Sequence, residues 1–387
     1  PPTQQMLEAP RPGPLAQGIM PSSEAIIIVP EAFGAICLNN AGMKMFLESN
    51  ALQSFFEIFE SPAHIKVLDN DANNLATSLG ATFDELVRHH PALKTAILNA
   101  VLDMVARVSH LCKTRTETEK LGAKLLVTNA NGEVVVADGS LLSEVSDEDK
   151  GKDKSVDADA DVEMTGVSTE AAEPSKVPNA LTTAEDDREN NVTPYIAAVA
   201  NFLTALFNNA GIRNLYMEHG GMESILDLAE LPVLPNSPSD ERSHRNMHTV
   251  IALLAEQKAH ILVPSLIKRA QAAADTLMPF TQHQGPDAYF AKFIDGSKPS
   301  NDRTDSLLAR GTSLVEAMVT AQNLCMALRQ CISSPIYSRN QTSSFSSMNL
   351  ADYYVRLIKS LGAILAASIK EDFKLMKLAP RHWRRAG

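Results

Sequence analysis

The residues able to do chemistry in this chain are scattered, and their spacing decides what each can do. The run Asp69-Asn70-Asp71-Ala72-Asn73-Asn74 opens like a calcium loop, with oxygen ligands at alternate positions in Asp69, Asp71 and Asn73. It then departs from that pattern. Asn74 stands where the loop needs glycine, and Gly80 stands where it needs a bidentate glutamate. His89 and His90 are adjacent, and helix neighbours point about 100° apart, so they suit capping or packing better than shared metal ligation. Cys37, Cys112, Cys325 and Cys331 show no CxxC spacing and read as core thiols in a reducing compartment. No phosphate-binding loop, dinucleotide fingerprint, HExxH or GxSxG is present. The reading is no catalytic residue, no cofactor and no metal.

Charge supplies two further candidates. The formal net charge is -11, and residues 143–190 carry 15 acidic against 5 basic side chains, leaving the rest of the chain nearly neutral. This stretch has no aromatic residue and few large apolar ones, so it cannot bury enough surface to offset the entropy of ordering its backbone. It reads as a disordered acidic insert over 141–191. Asp147, Glu148, Asp149, Asp157, Asp159, Asp161 and Glu163 are its candidate contacts for basic partners. Ser146, which precedes three acids, fits an acidophilic kinase site whose phosphate would deepen the negative field. The plain alternative is a solvated spacer. The second feature is the basic C-terminal run, in which Lys370, Lys374, Lys377, Arg381, Arg384 and Arg385 surround Trp383. Such a run could grip nucleic acid through phosphate contacts and stacking, or could simply complement a helix dipole.

The elements that position these groups are helical. Leu314, Met318, Ala321, Cys325, Leu328 and Ile332 step by three and four, as do Leu350, Tyr354, Leu357, Leu361, Ile364 and Ser368. Pro264 reads as a join between two helices, and Gly42, Gly211 and Gly220-Gly221 as helix C-caps. KLLVTNANGEVVVAD, with Asn131-Gly132 between two β-prone runs, predicts a small hairpin within 123–140. The tetrapeptide NNAG occurs at 39–42 and 208–211. Allowing one extra residue, Glu48 falls on Glu218, Leu52 on Met222, and Phe55, Phe56 and Ile58 on Ile225, Leu226 and Leu228. Such an echo is expected when each unit exposes an apolar face that only its neighbour covers. The fold class is therefore all-α, an armadillo/HEAT-like α-solenoid interrupted by a β-hairpin and the acidic insert. Its segments are a Pro-rich linker over 1–24 and helical stretches over 25–122 and 192–387.

No apolar run approaches the roughly 18 residues that cross a bilayer, and no secretory signal is visible, which points to nucleus and cytoplasm. The chain starts at Pro1 rather than Met and stops abruptly after RHWRRAG, as a piece of something larger would.

The strings AFGAICLNNAGMKMF, LGATFDELVRHHPALK and NLYMEHGGMESILDLAELPVLPNSP resemble the N-terminal armadillo-like region of the giant HECT-type E3 ubiquitin-protein ligases of fungi and animals. The resemblance runs in order from about Pro21 to the end. It implies a parent enzyme that accepts ubiquitin from an E2 on a HECT-domain cysteine, in a domain that nothing here matches. It further implies that this segment is a non-catalytic scaffold positioning protein substrates, basic nuclear proteins among them, with a link to mRNA transport. The acidic insert and the loop LPVLPNSPSDER are the contact elements expected. The alternatives are a nucleic-acid-binding helical module using the basic C-terminus and a free-standing interaction scaffold.

Overall fold

The computed structural model describes residues 19–70, 74–128, 134–136, 191–233, 241–290, 302–333 and 350–378. The acidic candidates Asp147, Glu148, Asp149, Asp157, Asp159, Asp161 and Glu163, together with Ser146, lie outside the described residues. So do Asp71, Asn73, Asn131-Gly132 and the last cations of the C-terminal run.

Helices α1 (Ser23–Ile36), α2 (Asn40–Glu48), α3 (Ala51–Phe56), α4 (Pro62–Leu68), α5 (Leu75–His89) and α6 (Lys94–Thr118) precede the insert. Strands β1 (Leu126–Thr128) and β2 (Val134–Val136) pair antiparallel, Leu126 opposite Val136. Beyond the insert come α7 (Thr193–Leu206), α8 (Ala210–Glu218), α9 (Met222–Glu230), α10 (Glu241–Thr276), α11 (Met278–Thr281), α12 (Asp302–Ser333) and α13 (Leu350–Leu378). Among the described residues everything else is turn, loop or short 3-10 helix.

The echo in the sequence is the visible part of a longer internal repeat. Helices α1 and α7 are both 14 residues long and α2 and α8 both 9, and each second copy starts 170 positions after its first. At that displacement Ile26, Phe33, Phe46, Phe55 and Phe56 correspond to Ile196, Leu203, Tyr216, Ile225 and Leu226, and all ten are buried. The backbone repeats as well. Asn50 (φ 54) and Gly220 (φ 81) are both left-handed and end α2 and α8. At Gly220 the following N–H, of Gly221, donates to the carbonyl of Tyr216 at 3.0 Å and closes the last turn.

This register explains the extra residue. The side chain of Asn39 accepts from the N–H of Gly42 at 2.8 Å, whereas in the second copy Asn209, not Asn208, caps the helix by accepting from Gly211 and Ile212. Gly42 and Gly211 therefore lie in first turns, correcting the expectation that they end helices. Pro264 likewise falls inside α10. The break is at Lys258 (φ -137, ψ 56), opposite the break between α5 and α6 at His90-Pro91 in the first copy.

The units stack. Helix α7 packs against α5 and α10, α10 against α12 and α13, and α9 against α6. Phe202 of α7 meets Phe56, Phe59 and Phe83 at ring-centroid distances of 5.6, 5.3 and 6.0 Å, so one core crosses the position of the acidic insert without interruption. By length and composition, helices over 91–118 and 246–276 could each span a bilayer, which corrects the expectation drawn from apolar runs. In this fold 56% and 50% of those windows are buried, because their apolar faces are covered by neighbouring helices.

Candidate interaction cleft

The described surface holds a cleft of about 920 Å³ where α6, α9 and α12 converge. Its floor begins with the residues that end α9. Pro232 lacks an N–H and disfavours helical geometry in the residue before it, so Leu231 turns extended (φ -60, ψ 131). Neighbours then clamp the freed carbonyls. Thr320 Oγ1 donates to Glu230 O at 2.9 Å, Asn323 Nδ2 to Leu231 O at 3.4 Å, and the N–H of Ala123 to Pro232 O at 3.1 Å. Leu231 and Pro232 open the loop that the sequence reading singled out; residues 234–240 of that loop lie outside the described residues.

One wall carries three lysines and Glu117. Lys113 projects from α6, Lys120 follows it in a left-handed conformation (φ 50), and Lys124 lies on the linker beyond. None of the three forms an ion pair among the described residues. The opposite wall carries Asp227 and Glu230, but Arg269 binds both and also Glu223, contacting Glu223 at 2.6 Å and Asp227 at 2.7 Å. Burial opposes the Arg269 charge, yet the hydrogen bonds it donates to Glu223 and Asp227 and the charges of Asp227 and Glu230 outweigh it and raise its pKa. One guanidinium offsets only one of those three carboxylate charges, and Glu117 beside the lysines and Glu316 on α12 add further acid to the lining, so the cleft carries both signs of charge.

Glu316 of α12 closes the cleft beside Gly122, where a side chain would run into its Oε1. Burial pushes the Glu316 carboxyl above its ordinary value. A carboxyl raised in the folded state binds protons more tightly there than when unfolded, so its destabilising effect is absent at low pH and grows as pH rises through the folded value. Glu316→Gln is expected to raise the thermal midpoint by about 1–3 °C at neutral pH. The gain should vanish near pH 3, where both states are protonated. Paired thermal melts at the two pH values check this; an equal gain at both would show that Glu316 acts by shape rather than charge.

Among the described residues no cysteine, histidine or serine lines this cleft, and its Thr116 and Thr320 hydroxyls already donate to backbone carbonyls. Cys37, Cys112 and Cys331 are buried and Cys325 half-buried. Desolvation raises all four thiol pKa values, Cys112 and Cys331 to about 12, so the thiolate needed for nucleophilic attack is suppressed. No cluster of three or more His, Cys, Asp or Glu suited to a metal ion occurs among the described residues. His90 caps α5, and His89 lies 3.6 Å from Glu85. Of the basic C-terminal run, Lys374 donates to the carbonyls of Gly285 and Asp287 at 2.6 and 2.9 Å, fastening a loop. The three cleft lysines were missed in the sequence because they straddle a helix end and a linker, with no periodicity to mark them.

The fold defines a protein of stacked, internally repeated helical units around a main core, with a second, smaller apolar cluster at Leu277, Phe280, Tyr289 and Leu314. Residues 3–237 match the family described as Domain of Unknown Function (DUF913), and the chain belongs to that family. It is similar to "E3 ubiquitin-protein ligase TOM1-like" of Neurospora crassa, 36% identical over 392 residues, which is 99% of this chain and 9% of the relative. It is also similar to "E3 ubiquitin-protein ligase UPL2" of Arabidopsis thaliana, 27% identical over 58% of this chain and 5% of the relative. A third relative, "E3 ubiquitin-protein ligase HUWE1" of Mus musculus, is 26% identical over 25% of this chain and 2% of the relative. The chain therefore spans less than a tenth of the length of the relatives it matches.

Proposed function

We propose that this chain is a non-catalytic scaffold segment of a giant HECT-type E3 ubiquitin ligase. It would be an armadillo/HEAT-like solenoid that holds protein substrates for ubiquitin transfer by a HECT domain elsewhere in the polypeptide. The observation that carries the reading is similarity to a named E3 ligase along 99% of the chain, joined to a fold whose four thiols are shielded from chemistry. Such a segment acts by positioning, because holding substrate lysines near the ubiquitin thioester raises their effective concentration. The acidic insert would draw basic proteins, nuclear ones among them. Activity in nucleus and cytoplasm, and a link to mRNA transport, follow from the family resemblance.

The test uses the full-length ligase. Removing residues 143–190 is expected to lower ubiquitin transfer to basic substrates about tenfold, through slower capture, and to leave autoubiquitylation unchanged. Unchanged transfer to every substrate would remove the positioning role of the insert, and loss of autoubiquitylation would show that the segment supports catalysis itself. The nucleic-acid reading predicts RNA binding by this chain that weakens steeply with salt and disappears on neutralising Lys370, Lys374, Lys377, Arg381, Arg384 and Arg385.

A further inference from the structure

The internal repeat identifies a surface that the first unit leaves open and the second unit covers. In α7 the positions Ala198, Phe202, Ala205 and Leu206 form one face, and all are buried at 0%, 0%, 6% and 1% exposure. Their cover is α5 of the preceding unit. Gly80 brings the two backbones so close that a Cβ there would run into the carbonyl oxygen of Phe202 and stand 2.9 Å from Cβ of Ala205. The same face recurs 170 positions earlier on α1 as Ile28, Ala32, Ala35 and Ile36, and there all four are exposed, Ile28 at 58% and Ile36 at 47%. The inward faces of the two helices match: Ile26 and Ile196, Pro30 and Ala200, and Phe33 and Leu203 are buried alike. The helices thus differ in whether a unit lies in front of them.

We infer that the Ile28/Ala32/Ala35/Ile36 face of α1 is a stacking surface for another helical unit of the same longer polypeptide. The covering element would be an amphipathic helix with glycine or alanine at the crossing and large apolar residues one turn away, as α5 places Gly80 next to Phe83. Two observations fix this chemistry. Ala32 and Ala35 keep the centre of the face shallow, which permits the close backbone approach seen between α5 and α7. The Neurospora crassa relative extends far beyond the aligned region, so further chain exists there to supply the helix. An unfilled stripe of this kind otherwise leaves two isoleucines in water. The inference rests on the chain being part of a longer polypeptide, as proposed above, and not on ubiquitin chemistry.

Thiol accessibility tests it. Ile28→Cys, Ala32→Cys and the control Glu48→Cys are introduced one at a time into this chain and into the full-length protein, and labelled with a maleimide. The native cysteines, three buried and one half-buried, give a low background. Positions 28 and 32 are expected to react fast in the isolated chain and about 100-fold more slowly in the full-length protein, since reaction there requires local opening. Position 48 should react equally in both, because its counterpart Glu218 stays exposed in the second unit. Equal fast labelling at 28 in both proteins overturns the proposal. Protection already present in the isolated chain also overturns it; if that protection grows with concentration, the occupant is a second copy, for which the exposed stripe Ile358, Leu365 and Ile369 around Gly362 on α13 is the complementary surface. Slow labelling in a full-length protein devoid of ligase activity would sink the ligase reading and leave the stacking surface standing.

Discussion

Phe202→Ala is expected to lower the stability of the chain by about 4 kcal/mol, the middle of the range for deleting a fully buried aromatic ring. Phe202 is 0% exposed and sits edge-on or tilted against Phe56, Phe59 and Phe83, three residues from the far side of the acidic insert. The truncation removes the ring's transfer free energy and leaves a cavity that helices on both sides must relax to fill. Because the ring joins elements before and after the insert, their unfolding should remain a single transition shifted to lower denaturant. Denaturant titration followed by circular dichroism measures both points. A loss below about 1 kcal/mol, or two separated transitions, would mean that the segments fold as independent cores.

Gly80→Ala carries the second large effect, and its sign is diagnostic. In an exposed helix interior this change stabilises by about 1 kcal/mol, since alanine is the better helix former. At Gly80 the added methyl meets backbone of α7 rather than the end of a flexible side chain, so the helices must move apart. Overpacking of this kind costs about 2 kcal/mol net, reversing the usual gain. Gly362→Ala on α13 is the internal control, because nothing lies within 4 Å of a Cβ built there. It should show the ordinary gain. If both variants stabilise alike, the close approach of α5 and α7, and the stacking geometry argued from it, is wrong.

Much of the helical architecture was legible in the residues because burial imposes a period. Leu314, Ala321 and Leu328 lie at helical spacing in the sequence and are buried on α12, and Leu357 marks the inward face of α13. The echo was legible for the same reason, since Leu52 and Met222, or Phe56 and Leu226, occupy equivalent positions against equivalent neighbours. Its register was harder to see. Matching NNAG with NNAG aligned the letters, whereas the structure aligns the capping residues Asn39 and Asn209, and a cap is defined by which N–H groups it reaches.

The cleft and the open face lie beyond such reading. Lys113, Lys120 and Lys124 share a cleft with Glu316 only because α12, far along the chain, lines its other side, and no local pattern encodes that arrangement. Arg269 reaches three carboxylates of another helix and offsets one of their charges, a pairing that a net charge of -11 cannot reveal. Ile28 and Ala198 stand at the same place in their units with opposite exposure, since exposure depends on the next layer rather than on the helix that carries the residue. The sequence by itself determined the helices, the repeated apolar faces and the family, because these follow from local periodicity and residue identity. Which faces are covered, which charges are compensated and where two helices approach to a glycine's width were decided by the tertiary structure, since each depends on distances between residues far apart in the chain.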